Sequence, residues 1–182
     1  MIPMLKRIIR TGILSRKLPD ILAEAPSAQA PQDGGHERLH DDILKLLGRA
    51  LTIREVDAGS CNGCELEIHA LNNPYYNLEG RGIKFVASPR HADMLLVTGP
   101  VTRNMENALK VAYDCTPDPK LVVAVGDCGC GCGDTGALFG ENYAACGPVS
   151  KVIPVDILIP GCPPTPAARM QGILAAIKSS KG

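Results

Sequence analysis

Leu121–Gly129 reads LVVAVGDCG: five apolar residues in succession, then a glycine, an acid, a cysteine and a second glycine. A run this short and this apolar leaves no polar face, so it suits a strand covered on both sides, as in a parallel sheet flanked by helices. Its cysteine falls just past the strand's carboxyl end, where open α/β sheets bind ligands. Similar pieces recur on either side. Residues 51–56 (LTIREV) read as a first strand, followed by a Gly/Cys loop and a helical ELEIHAL stretch. Residues 83–86 and 94–97 read as a second and third strand, 104–113 as a helix, and 151–155 as a fifth short strand. Thr165 is a good N-cap with Pro166 at the first helical position, leading AARMQGILAAIK. The expected fold class is α/β with a parallel sheet.

The 182 residues suit one domain. Nineteen basic residues balance nineteen acidic ones, which gives no overall field to attract nucleic acid. Apolar residues make up 45% of the chain but aromatics only 3%, with no Trp, so Ala, Val, Ile and Leu must build the core. No apolar run approaches the ~20 residues of a membrane-spanning helix. Residues 1–23 form a basic segment with Lys6, Arg7, Arg10, Arg16 and Lys17 ahead of the first acid, Asp20. Met4, Leu5, Ile8, Ile9 and Ile13 recur near helical spacing. Such a segment reads as a solvated tail, a helix on its own domain, or a dock for a partner or an anionic membrane surface. Residues 24–39, rich in Pro, Ala, Gln and Gly, read as a flexible linker. An α/β domain is expected over 40–182, with a short helix beginning near Asp41.

Eight cysteines are the excess that needs a reason: Cys61, Cys64, Cys115, Cys128, Cys130, Cys132, Cys146 and Cys162. The first twenty residues lack the apolar stretch and cleavage site of a secretory signal. The chain is therefore expected in the reducing cytoplasm, where thiolates held for a metal make more sense than disulfides. Cys61-Asn-Gly-Cys64 follows the first strand, Cys128 the fourth and Cys162 the fifth. Three strand ends would deliver four thiolates to one rim. The flanking glycines (Gly59, Gly63, Gly126, Gly129, Gly161) permit sharp turns and let backbone amides approach sulfur. Pro160, Pro163 and Pro164 hold Cys162 in an extended segment.

Alternatives stand beside this reading. A redox CxxC leaves Cys128 and Cys162 unexplained. A structural zinc usually takes two close pairs, whereas here the second pair is split by more than thirty residues. Cys128 is the favoured third ligand, with Cys130 as the fallback. Cys115 and Cys146 read as small buried hydrophobes, and a second cluster from Cys115, Cys130, Cys132 and Cys146 is arithmetically possible. Glu65, next to Cys64, either favours the helix dipole or serves as an interface carboxylate assisting proton movement. Ser88–Asp93 (SPRHAD) is expected on the cysteine edge, where Arg90 or His91 would donate to a cluster or meet a partner. His69 reads as a helix-surface residue. No nucleotide-binding loop is present.

Four segments together carry a family resemblance: SCNGCELEI at 60–68, ASPRHADMLLVTGPVT at 87–102, PDPKLVVAVGDCG at 117–129 and KVIPVDILIPGCPPTPAA at 151–168. They resemble the small subunit shared by energy-converting [NiFe] hydrogenases and respiratory complex I (where it is the 20 kDa subunit), most closely the formate hydrogenlyase and hydrogenase-4 kind. The resemblance implies a flavodoxin-like, doubly wound domain holding one [4Fe–4S] cluster, with Cys61, Cys64, Cys128 and Cys162 as ligands. It implies an electron-transfer subunit of an oxidoreductase, itself without catalytic residues, relaying electrons between a ferredoxin-like iron–sulfur subunit and a Ni–Fe large subunit that interconverts protons and H2. Residues 1–20 would contact membrane subunits at the cytoplasmic face of the cell membrane, and the rim around Cys61, Cys64 and Arg90 would be an interface. In complex I subunits of this type the first two cysteines are adjacent. The two-residue gap between Cys61 and Cys64, and the end of the chain soon after its last helix, favour the membrane-associated hydrogenase branch. The corresponding subunit of a complex I-like NADH/quinone oxidoreductase and a zinc-stabilised interaction module are the rival readings. The Cys-rich segment after Cys128 departs from the family pattern.

Overall fold

In the computed structural model the described residues are 43–45 and 48–179. The basic segment expected at 1–23 and the linker expected at 24–39 lie outside them. The strands are β1 (Leu51–Asp57), β2 (Ile83–Phe85), β3 (Met94–Thr98), β4 (Val101–Thr102), β5 (Leu121–Val125), β6 (Ala145–Gly147) and β7 (Ile157–Ile159). Five of them form one sheet in the order β2-β1-β3-β5-β7, every neighbouring pair parallel. The chain winds outward from β1 to β2, returns across β1 to β3, and continues outward on that side. This is the doubly wound order of flavodoxin, whose ligand crevice opens where the winding reverses, here between β1 and β3. The helices are α1 (Gly63–Ala70), α2 (Arg103–Cys115), α3 (Gly126–Cys130), α4 (Gly133–Leu138) and α5 (Pro166–Ser179).

All five residues of β3 are buried, because both faces of the sheet are covered. Met94 and Leu96 join Ile53 and Val123 in one core, against Ile68 of α1 and Met170, Ile173 and Ile177 of α5. Leu95 and Val97 join Val122 and Ala124 in the other, against Leu109 of α2 and Val149. Each fully buried Leu or Ile contributes about 1.5–3 kcal/mol. Helix α5 starts as its sequence indicates: Thr165 Oγ1 accepts from the Ala168 N–H at 3.3 Å.

Three details differ from expectation. The fifth sheet strand is Ile157–Ile159, not 151–155; residues 149–151 form a 3₁₀ turn, and Ile153 packs into the second core instead of the sheet. Val101–Thr102 pairs antiparallel with Ala145–Gly147 in a separate small ribbon. Gly126–Cys130 and Gly133–Leu138 are short helices in a segment to which the sequence assigned no element.

Candidate metal centre

Each cysteine-bearing loop is fastened before it reaches its cysteine. After β1, Asp57 Oδ1 accepts from the N–H groups of Gly59 and Ser60, both at 2.8 Å. Asn62 then takes a left-handed conformation, φ 70°, and opens α1, so that Cys61 and Cys64 flank a single turn. After β5, Asp127 ties the Cys128 loop to the Cys162 loop. Its N–H donates to the Gly161 carbonyl at 2.9 Å, and its Oδ1 accepts from the Gly161 N–H at 2.6 Å. Gly126 lies between these two systems at φ 86°, and a Cβ there would stand 2.7 Å from Cys64 Sγ. Only a residue without a side chain lets β5 pass this close to the first cysteine pair.

The outcome is one small cavity, about 50 Å³, lined by Cys61, Cys64, Cys128 and Cys162 together with Gly99 and Asp127. Cys61 and Cys162 are exposed, Cys64 and Cys128 half-buried. Burial pushes the Cys64 thiol up to about 11; Glu65 adds to the rise, Arg169 opposes it, and Cys61 and Cys128 add further. Burial, then the Cys162 and Cys61 thiols, holds Cys128 above the usual range. Cys64 thus feels Cys61 and Cys128, and Cys128 feels Cys162 and Cys61. Cys64 and Cys128, raised in this way, bind metal only by giving up protons, so loading the site must release them.

Four cysteines are the donor chemistry of both iron–sulfur and tetrathiolate zinc sites. Among the described residues, no three His, Cys, Asp or Glu side chains gather tightly enough for one ion. A tetrahedral zinc with bonds of ≈ 2.3 Å would draw its sulfurs to about 3.8 Å from one another. The four cysteines lining one cavity fit the all-thiolate donor set of an iron–sulfur cluster.

The remaining cysteines stay away from this cavity. Cys130, the fallback ligand, is buried in the second core and donates to the Ala124 carbonyl at 3.5 Å; burial pushes it to about 12. Cys132 donates to Asp127 Oδ1 at 3.7 Å. Cys146 is half-buried, packs against the second core and donates to Glu106 Oε2 at 3.4 Å. Cys115 ends α2.

The expectation that Arg90 and His91 share the cysteine edge needs correction. Both are exposed on the turn Pro89–His91, which feeds the amino end of β3, and neither lines the cavity. In a parallel sheet a segment entering a strand starts from the edge opposite to the one that segments leave. The cysteine loops all leave strands.

Glu65 is buried beside Cys64 and lines a larger cavity, about 550 Å³, with Glu55, Asp57 and His69. Neither of its carboxylate oxygens has a partner, nor does Glu55 Oε1. Sequence reasoning missed two residues here. Asp127 joins the loops through contacts between distant segments. Arg169, in the first turn of α5, is 1% exposed with Nε and both Nη atoms unpartnered. Its signal was periodic: it stands four residues before Ile173, on the face the apolar positions define.

Residues 61–176 match the family model described as NADH ubiquinone oxidoreductase, 20 Kd subunit. The chain is 46% identical over 136 residues to the "Probable membrane-bound hydrogenase subunit mbhJ" of Pyrococcus furiosus, covering 75% of this chain and 79% of that one. It is also 46% identical to formate hydrogenlyase subunit 7 of Escherichia coli, covering 74% of this chain but only 51% of the relative. An NADH-quinone oxidoreductase subunit of Desulfovibrio desulfuricans is 40% identical over 128 residues, 70% of this chain and 66% of that one. Among solved structures, a chain of an archaeal membrane-bound sulfane sulfur reductase superposes with a TM-score of 0.60 at 34% identity, covering 73% of each. The 20 kDa subunit motifs thus run through both cysteine-bearing halves of the sheet, and the chain belongs to the NADH ubiquinone oxidoreductase 20 kDa subunit family, as one subunit of an oxidoreductase complex.

Proposed function

We propose that this chain is the electron-transfer subunit of a membrane-bound [NiFe] hydrogenase complex and that Cys61, Cys64, Cys128 and Cys162 hold one [4Fe–4S] cluster. One observation carries the reading: thiols from three separate strand ends line a single cavity. The relatives named as membrane-bound hydrogenase and formate hydrogenlyase subunits supply the complex. Once bound, such a cluster provides a one-electron relay between a ferredoxin-like iron–sulfur subunit and a Ni–Fe large subunit. The chain's own contribution is positional. Asp57 and Asp127 fix the loops, and Gly126 lets β5 approach Cys64.

Exposed Cys61 and Cys162 suit a rim covered by a partner, as does Leu66, which is 62% exposed two residues beyond Cys64. Glu65 is the carboxylate assigned to that interface; Arg90 and His91, exposed elsewhere, remain partner-facing residues without a part in the cluster. No helix among the described residues is long and apolar enough to cross a membrane. Attachment in this reading is peripheral, at the cytoplasmic face, with residues 1–20 against the membrane subunits.

Membership of a quinone-reducing, complex I-like assembly is the second reading, favoured by the family description and the Desulfovibrio relative. The Cys61–Cys64 spacing favours the hydrogenase. Purifying the assembled complex separates the two: nickel in the preparation and H2 evolution are expected, and their absence alongside quinone reduction would move the chain to the other branch. Iron content and a broad visible absorbance that bleaches on reduction test the cluster itself, which Cys162→Ser should remove. A full cluster in that variant would refute the ligand set.

A further inference from the structure

Among the buried, unpartnered atoms is a charge that the ligand set does not explain. Arg169 projects from the first turn of α5, seven residues after Cys162, into a region where its side chain is 1% exposed. Its three guanidinium nitrogens find no hydrogen-bond partner. A guanidinium taken out of water without a partner is costly, and an apolar residue would fill this helix position at no such cost. Met170, Ile173 and Ile177, on the same face, are that kind of residue. Cys64 packs against the same core as Met170, Ile173 and Ile177 of α5, and Glu55 and Glu65, one on β1 and one next to Cys64, also carry unpartnered buried oxygens.

We propose that Arg169 is a positioning residue for the cluster's charge: buried in the first turn of the helix that follows the Cys162 loop, its fixed positive charge offsets the thiolates and the added electron, and so raises the reduction potential of the site. This rests on the cluster reading above. On reduction one electron enters the site and no bond is made or broken in the protein, so the local charge falls by one unit. A cation that cannot leave and is poorly screened favours that change. The guanidinium keeps its charge at any pH the complex meets.

The test uses the purified whole complex carrying Arg169→Met or Arg169→Lys, with iron content, the visible spectrum and an electron paramagnetic resonance potentiometric titration of the reduced signal. Iron and signal in the parent complex establish the cluster independently; their absence would sink the cluster reading, and this proposal with it. With the cluster present, Arg169→Met is expected to shift the reduction equilibrium at least tenfold toward the oxidised form, about 59 mV downward for one electron. Arg169→Lys should stay closer to the parent. Loss of iron in the Met variant with retention in the Lys variant would also support a charge role. If Met and Lys behave alike, whether both keep the parent potential or both lose the cluster, Arg169 matters for packing alone and the proposal is overturned.

Discussion

The two edges of the sheet are built on different principles. At the amino edge, polar groups are satisfied. Asp93, just before β3, accepts from the Thr52 N–H at 3.0 Å and the Thr52 hydroxyl at 2.7 Å, and both its oxygens take the Arg49 guanidinium. Its own N–H and carbonyl bond to β1 and to Leu121 of β5. At the carboxyl edge, four thiols face a cavity, Gly126 is held at positive φ, and Glu55, Glu65 and Arg169 keep buried atoms without partners. One edge sets the register of three strands; the other holds charge and conformational strain that only a bound group or a partner can put to use. The same fold assigns stability and function to opposite ends.

The sharpest way to break this contrast is at Gly126. In Gly126→Ala a non-glycine residue would occupy φ 86° with its Cβ 2.7 Å from Cys64 Sγ. The backbone penalty alone is of order 1–3 kcal/mol. The added displacement of Cys64 should cost the complex most of its iron and visible absorbance. If the variant kept full iron content, the close approach of β5 to Cys64 would not be what shapes the cavity.

Asp93→Asn tests the other edge and should have a smaller, purely structural effect. Burial alone would raise the Asp93 carboxyl, but hydrogen bonds from the Thr52 side chain and backbone and from Arg49 prevail and hold it below the ordinary 3.8. Because the folded value is the lower one, this group's stabilisation is complete above the unfolded value and is lost as pH falls through the folded one. The Asn variant should unfold about 1–3 kcal/mol more easily at neutral pH. It should also lack that part of the acid dependence, while the cluster spectrum stays unchanged. Urea midpoints at neutral pH and at about pH 3 check both statements. Equal losses at the two pH values would remove the carboxylate from the account.

What the sequence revealed follows the same division. Strands β3 and β5 were legible because burial on both faces produces unbroken apolar runs. Cys61, Cys64, Cys128 and Cys162 were legible because strand ends in a parallel sheet converge. Strand β7 was not: it is three residues long at the sheet margin, with Leu158 52% exposed. The more apolar residues just before it belong to the second core. Helix α3 carries two glycines in five residues, too poor a helix former to announce itself. Asp127 acts through Gly161, 34 positions away, and no local pattern encodes that pairing.

The smallest expected effect concerns Arg90 and His91, where the sequence suggested the cysteine edge and the topology puts a turn entering β3. Both side chains are exposed, and exposed substitutions away from special backbone or buried partners usually move stability by no more than about 0.5 kcal/mol. The turn is held by backbone bonds from His91 to Ser88 and from Ala92 to Pro89, and by the Ser88 side chain accepting from the Arg90 backbone N–H at 3.4 Å, all of which a change of the Arg90 or His91 side chain leaves in place. Arg90→Ala and His91→Ala should therefore leave the unfolding midpoint, the iron content and the cluster's potential at their parent values. Any loss would be confined to subunit association, read by co-purification. Because a charge change near the cluster must register in its potential, a shift in either variant would place the turn near the thiols and remove the separation of the two edges.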